Sequence, residues 1–91
     1  MKIIGIIGAG QMGAGIAQVS AQAGYDVLLS DVDITRAEAG KATVAKGLQR
    51  LVDREKIDAA TREAVLSRIT PVAGSASFAS ADLVIEAATE R

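Results

Sequence analysis

A chain of 91 residues with a formal net charge of −1 and 49% hydrophobic side chains is one small domain with enough apolar material for a core. That charge balance gives no electrostatic case for nucleic acid or an acidic membrane surface. The absence of Cys and His excludes disulfides, thiol nucleophiles, imidazole-based catalytic pairs and zinc sites of the Cys/His kind. With one Phe, one Tyr and no Trp, the core has to be aliphatic. Lys2 and the apolar run after it have the outline of a secretory leader, but Gly8, Gly10, Gln11, Gly13 and Gly15 break that run. It also falls far short of the ~18 apolar residues of a membrane span. A reducing, cytoplasmic compartment is expected.

Residues 2 to 7, Lys-Ile-Ile-Gly-Ile-Ile, are short, β-branched and apolar on both faces, the pattern of a buried parallel strand. Residues 11 to 23 follow as a helix, with Met12, Ile16, Ala17, Val19, Ser20 and Ala23 as its apolar stripe, and Gly24 stands where a left-handed residue closes a helix. Val27-Leu28-Leu29 is a second buried strand, ending at Ser30-Asp31. Asp33 caps a long helix over about 34 to 53, whose apolar face is Ala37, Val44, Ala45, Leu48, Leu51 and Val52. Gly40 and Gly47 lie on one side of it and point to close helix packing. Asp58 caps a third helix, 59 to 68, with Ala60, Ala64, Val65 and Leu66 available for burial. Ile69-Thr70-Pro71-Val72 is a weak strand, and Pro71, lacking an N–H, places it at an edge or a strand end. A loop and a brief helical turn from Gly74 lead to a last strand, 81 to 86, with Leu83, Val84 and Ile85 as a continuous apolar run. Right-handed crossovers between such strands give a parallel sheet with helices on both faces.

Between the first strand and the first helix stands Gly8-Ala9-Gly10-Gln11-Met12-Gly13, a G-x-G-x-x-G loop. The motif is weak alone and gains its meaning from the strand before it, the helix after it and the acidic residue that ends the next strand. Gly8 permits the tight turn, Gly10 the approach of a pyrophosphate to the backbone, and Gly13 close packing of helix on strand. The helix start at Gln11 and Met12 offers unpaired N–H groups and partial positive charge to phosphates. Asp31 comes 18 residues after Gly13, near the usual spacing of about 20. Its carboxylate accepts from ribose hydroxyls and repels a 2′-phosphate. The nearest cation is Arg36, so NAD is favoured over NADP.

Gly8 to Gln18, Ala23-Gly24-Tyr25-Asp26-Val27 and Asp31 resemble the N-terminal domain of the 3-hydroxyacyl-CoA dehydrogenases, the bacterial 3-hydroxybutyryl-CoA enzymes especially. Ala81-Asp82-Leu83-Val84-Ile85-Glu86-Ala87-Ala88-Thr89-Glu90 is similar to that family's D-L-V-I-E-A-x-x-E segment. The resemblance covers essentially the whole chain. It implies a Rossmann-type domain of which residues 1–91 are the N-terminal part. The parent reaction is oxidation of an L-3-hydroxyacyl-CoA to the 3-oxoacyl-CoA, with hydride passing to NAD+. It further implies that Glu90 lies by the nicotinamide-side ribose, that Glu86 supports the strand end, and that Arg54 and Lys56 meet a CoA phosphate. Gly47 lacks the side chain the family often carries there. The family's catalytic His, and the Glu, Ser and Asn around it, come after the matched segment, as does its helical dimerisation domain. No residue of this chain is therefore a candidate for catalysis or for a metal, and the chain alone is expected to be inactive.

Two other readings fit the same residues. One is a free-standing nucleotide-binding module without catalysis. The other is an NADP-dependent 3-hydroxyacid dehydrogenase relative, which shares a G-x-G-x-M-G loop, although Asp31-Val32-Asp33 stand where those proteins usually carry a basic pair. An open strand edge near residues 83 to 87 predicts self-association.

Overall fold

Four strands line up in parallel in the computed structural model, which describes residues 2–74 and 76–87. In chain order the elements are β1 (Ile3–Ile7), α1 (Gln11–Gln22), β2 (Asp26–Asp31), α2 (Ile34–Asp53), α3 (Ala59–Ser67), β3 (Ile69–Ala73), a 3-10 helix (Ala76–Ser80) and β4 (Leu83–Glu86). The boundaries expected from the sequence hold to within a residue or two, the usual uncertainty of element ends. The sheet order is β3-β2-β1-β4, so the chain steps outward from β1 and then returns to pair β4 on the other side of β1. Ile4 lies beside Val27 and Leu83, and Val27 lies beside Ile69. Pro71 sits on β3, which pairs with β2 alone among the described strands, as its missing N–H requires.

The core forms where Ile4, Ile6, Val27, Leu29 and Ile69 meet the buried residues of the three α-helices, among them Ala17, Ala21, Val44, Leu48 and Val65. These helices pack on one another and share one face of the sheet. The opposite face carries the 3-10 helix: Gly5 points away from α1, and a Cβ there would come 3.2 Å from the ring of Phe78.

Two expectations need correction. The face of α1 that meets the sheet is Gly13, Ala14, Ala17, Ser20 and Ala21, whereas Met12 and Val19 are exposed. Small residues bring this helix close to the strands, and the larger apolar side chains are left on its flank. The last strand is also less buried than its Leu-Val-Ile run suggests: Leu83 and Val84 are exposed, because among the described residues β4 pairs with β1 alone.

The turns after α1 and α2 close by the same hydrogen-bond pattern. After α1, Tyr25 N–H donates to Ser20 O, with Gly24 at φ 103°. After α2, Lys56 N–H donates to Leu51 O and Glu55 N–H to Val52 O, but here the left-handed residue, at φ 60°, is Glu55. Asp33 and Asp58 cap α2 and α3 as expected, accepting from Arg36 N–H and Thr61 N–H. Arg68 ties the start of β3 to α1 by donating from Nη1 to Ala21 O at 2.7 Å, which also places a cation at the negative end of that helix.

Candidate functional site

The reversal of strand order between β1 and β4 leaves a crevice beyond the carboxyl ends of the strands, where parallel α/β sheets bind ligands. A cavity of about 270 Å³ lies there, lined by Gly8, Gly10, Gln11, Met12, Asp31, Arg36 and Ala87. Five of the residues expected at a cofactor are thus brought together. Gly13 stands behind them as the packing residue. Glu90 lies outside the described residues.

Each part of the loop has a local cause. Gly8 leaves β1 at φ 104°, and its N–H donates to Ser30 O at 2.8 Å, which holds the turn beside β2. A Cβ on Gly13 would fall 1.7 Å from Gly8 O, so α1 can start this close to the turn only with glycine there. A Cβ on Gly10 would meet nothing within 4 Å and would stand in open space at the cavity. Gly10 is also the N-cap of α1 and supplies no side-chain acceptor. The first amides of the helix therefore keep free donors, and the macrodipole adds positive potential at the same end. An uncapped helix start with an empty Cβ position fits a pyrophosphate.

Asp31, half-buried at the end of β2, faces this loop. Its Oδ2 accepts from Ala9 N–H at 2.8 Å and its Oδ1 from Val32 N–H at 2.7 Å. The Ala9 bond, and then the Val32 bond, hold the carboxyl below its ordinary range. Partial burial opposes this, and the nearby Arg36 adds to it. Asp31 is therefore a carboxylate at neutral pH. Each oxygen has one lone pair engaged by backbone and one left for a hydroxyl. Asp31 also pins Ala9, a role that the motif does not reveal.

Two of the lining residues lie beyond those expected at the cofactor: Arg36, named only as the cation nearest Asp31, and Ala87, named only within the family-like segment. Arg36, on the first turn of α2, reaches the cavity while also lying 3.9 Å from Asp33. Ala87 directly follows β4, and its N–H donates to Ile7 O at 2.8 Å. Its place follows only once β4 is known to pair with β1.

The residues of this chain match the family model of the 3-hydroxyacyl-CoA dehydrogenase NAD-binding domain from position 3 to position 91. The chain belongs to that family. Among its relatives, a 3-hydroxybutyryl-CoA dehydrogenase of Bradyrhizobium diazoefficiens is 44% identical over 91 residues, covering 100% of this chain and 31% of that protein. A 3-hydroxyadipyl-CoA dehydrogenase of Escherichia coli is 45% identical over 94 residues, covering 100% of this chain and 19% of the other. The crystal structure of an (S)-3-hydroxybutyryl-CoA dehydrogenase from Ralstonia eutropha superposes with a TM-score of 0.94 at 41% identity, over 100% of this chain and 32% of that one. The chain thus spans about a third of the length of these two 3-hydroxybutyryl-CoA dehydrogenases. NAD is the cofactor of this domain family.

In this 3-hydroxyacyl-CoA dehydrogenase domain a second groove, of about 220 Å³, adjoins the cavity at Gln11. Gln11 borders both, and Ala14, Gly15 and Gln18 of α1 face Thr43, Val44, Gly47 and Arg50 of α2 across it. Arg54, the exposed C-cap of α2, follows Thr43, Gly47 and Arg50 at helical spacing but is not among the groove's lining residues. Lys56 is exposed two residues further on.

Proposed function

We propose that this chain is the cofactor-binding portion of an NAD-dependent dehydrogenase that oxidises an L-3-hydroxyacyl-CoA, 3-hydroxybutyryl-CoA in particular, to the 3-oxoacyl-CoA. The observation that carries the reading is Asp31. An ionised acceptor faces an uncapped, glycine-lined helix start at the crevice of the sheet, in a chain that matches this family over 89 of its residues. NAD+ supplies the hydride acceptor when bound. The amides of Gly10, Gln11 and Met12 hold its pyrophosphate, Asp31 its adenosine ribose and Glu90 its nicotinamide-side ribose. Asp31 disfavours a 2′-phosphate, and Arg36, shared with Asp33, offsets this only in part.

The groove between α1 and α2 is the track of the CoA moiety, with Arg54 and Lys56 meeting its phosphates. Arg50, on the same helical edge, adds a third cation to that track. Removal of the hydroxyl proton falls to a base outside these residues, a His by family resemblance. Residues 1–91 alone bind and orient but do not turn over. The compartment is cytoplasmic, in keeping with the lack of Cys, and no described helix is long and apolar enough to cross a membrane. Exposed Leu83 and Val84 on β4 promote self-association, which sedimentation at rising concentration reads directly. The substrate class is tested by titrating acetoacetyl-CoA into the protein with NAD present. Binding that weakens about tenfold in Arg54→Ala/Lys56→Ala supports the track, as expected for two charge-assisted contacts at an exposed site. An unchanged affinity in that variant contradicts it.

A further inference from the structure

Gly40 lies on α2, 31 residues after the loop's Ala9, and no motif includes it. It is buried. A Cβ built on it falls 2.7 Å from Ala9 Cβ, 2.8 Å from Ala9 O and 3.1 Å from Leu29 Cδ2. The first of these is about 0.7 Å short of ordinary contact at 3.4 Å, and the second is to backbone, which cannot swing aside as a long side chain can. Ala9 is also tied by its N–H to Asp31 Oδ2 at 2.8 Å. Ala9, only 7% exposed, is therefore clasped between α2 and the end of β2.

We propose that Gly40 is a positioning residue for the cofactor: α2 rests on the glycine loop through Gly40 and Ala9, and this contact sets where the loop's amides and the Asp31 carboxylate stand relative to each other. The inference rests on the loop being the NAD cradle. A side chain at position 40 displaces Ala9, distorts its bond to Asp31 and shifts the Gly10 and Gln11 amides with it. Displacements below an ångström matter here, because a preorganised anion site loses binding when its donors are misplaced. Gly47 is the contrast on the same helix. A Cβ there would meet the amide end of Gln18 at 2.5 Å, and that flexible tip can move away from it.

The test compares Gly40→Ala with Gly47→Ala, which change helix propensity alike. NADH affinity is measured by calorimetry at a temperature where circular dichroism shows each variant folded. The Asp31 carboxyl is titrated by carbon NMR in the absence of ligand. Gly40→Ala is expected to weaken NADH tenfold or more and to move the Asp31 midpoint upward as the Ala9 bond is lost. Gly47→Ala, which borders the proposed CoA groove and not the NADH loop, is expected to leave NADH affinity within twofold and the Asp31 midpoint unmoved. A role confined to stability would lower the melting temperature without moving that midpoint. NADH affinity in Gly40→Ala within twofold of the parent protein overturns the proposal, and absence of NADH binding by the parent overturns the functional reading beneath it. Should Gly40→Ala not fold, Ala9→Gly/Gly40→Ala decides, since it removes the shorter contact. A folded double variant that binds NADH upholds the proposal, and one that stays unfolded or binds no NADH overturns it.

Discussion

Replacing Asp31 separates its two roles, because Ala and Asn remove different parts of them. Without ligand, its carboxylate accepts from Ala9 N–H at 2.8 Å and Val32 N–H at 2.7 Å. With cofactor it is to accept from two ribose hydroxyls as well. Hydrogen bonds to a charged group contribute about 1.5–3 kcal/mol each. Asp31→Ala loses both ribose bonds and leaves the buried Ala9 amide without its acceptor. A net loss of about 3 kcal/mol is a moderate expectation and corresponds to roughly 150-fold weaker NADH binding. Asp31→Asn keeps one carbonyl oxygen for Ala9, so the loop stays in place. It loses the charge and one acceptor, for a loss of about 1.4 kcal/mol, or roughly tenfold. Both variants are expected to narrow the preference for NADH over NADPH, since the charge that repels a 2′-phosphate has gone. Calorimetric titration of the three proteins with each nucleotide reads all of this. The reasoning is refuted if Asp31→Ala binds NADH within threefold of the parent protein while remaining folded.

Other outcomes follow from single contacts. Gly13→Ala puts a Cβ 1.7 Å from Gly8 O, so we expect loss of NADH binding together with destabilisation of about 3 kcal/mol or more, read as a fall in melting temperature. Glu55→Gly removes a side chain from a left-handed position and is expected to add about 1 kcal/mol of stability, raising the melting temperature by roughly 4–8 °C with NADH binding unchanged. The folded-state pKa of Asp31 is depressed, so its stabilising contribution is present above the unfolded carboxylate value and lost as pH falls through the folded one. Urea denaturation of the parent protein and Asp31→Asn over pH 2 to 7 is expected to show a shallower acid limb in the variant. NADH affinity of the parent should be level around neutrality and fall only in acid.

The glycine loop was legible because its chemistry is tied to fixed local positions: a turn, a close approach and a helix start within six residues, with Asp31 at a set remove. The caps at Asp33 and Asp58 and the turn at Gly24 were legible for the same reason, each being a local backbone need met by a residue type that serves it. The face of α1 was misjudged because helical periodicity gives weight to large apolar residues such as Met12 and Val19. The sheet instead selects Gly, Ala and Ser, whose size sets the distance between layers. Glu55 gave no signal, since its residue type does not announce a left-handed backbone and the turn after α2 is closed by main-chain bonds. Arg36, Ala87 and Gly40 are assembled by strand order and helix packing, so their places become visible only in three dimensions.

Calorimetric titration of the folded protein with NADH and, separately, with NADPH bears most directly on the cofactor site. The account predicts saturable one-to-one binding of NADH at least tenfold tighter than that of NADPH. A folded protein that binds neither nucleotide, or that binds NADPH as tightly as NADH, would contradict it.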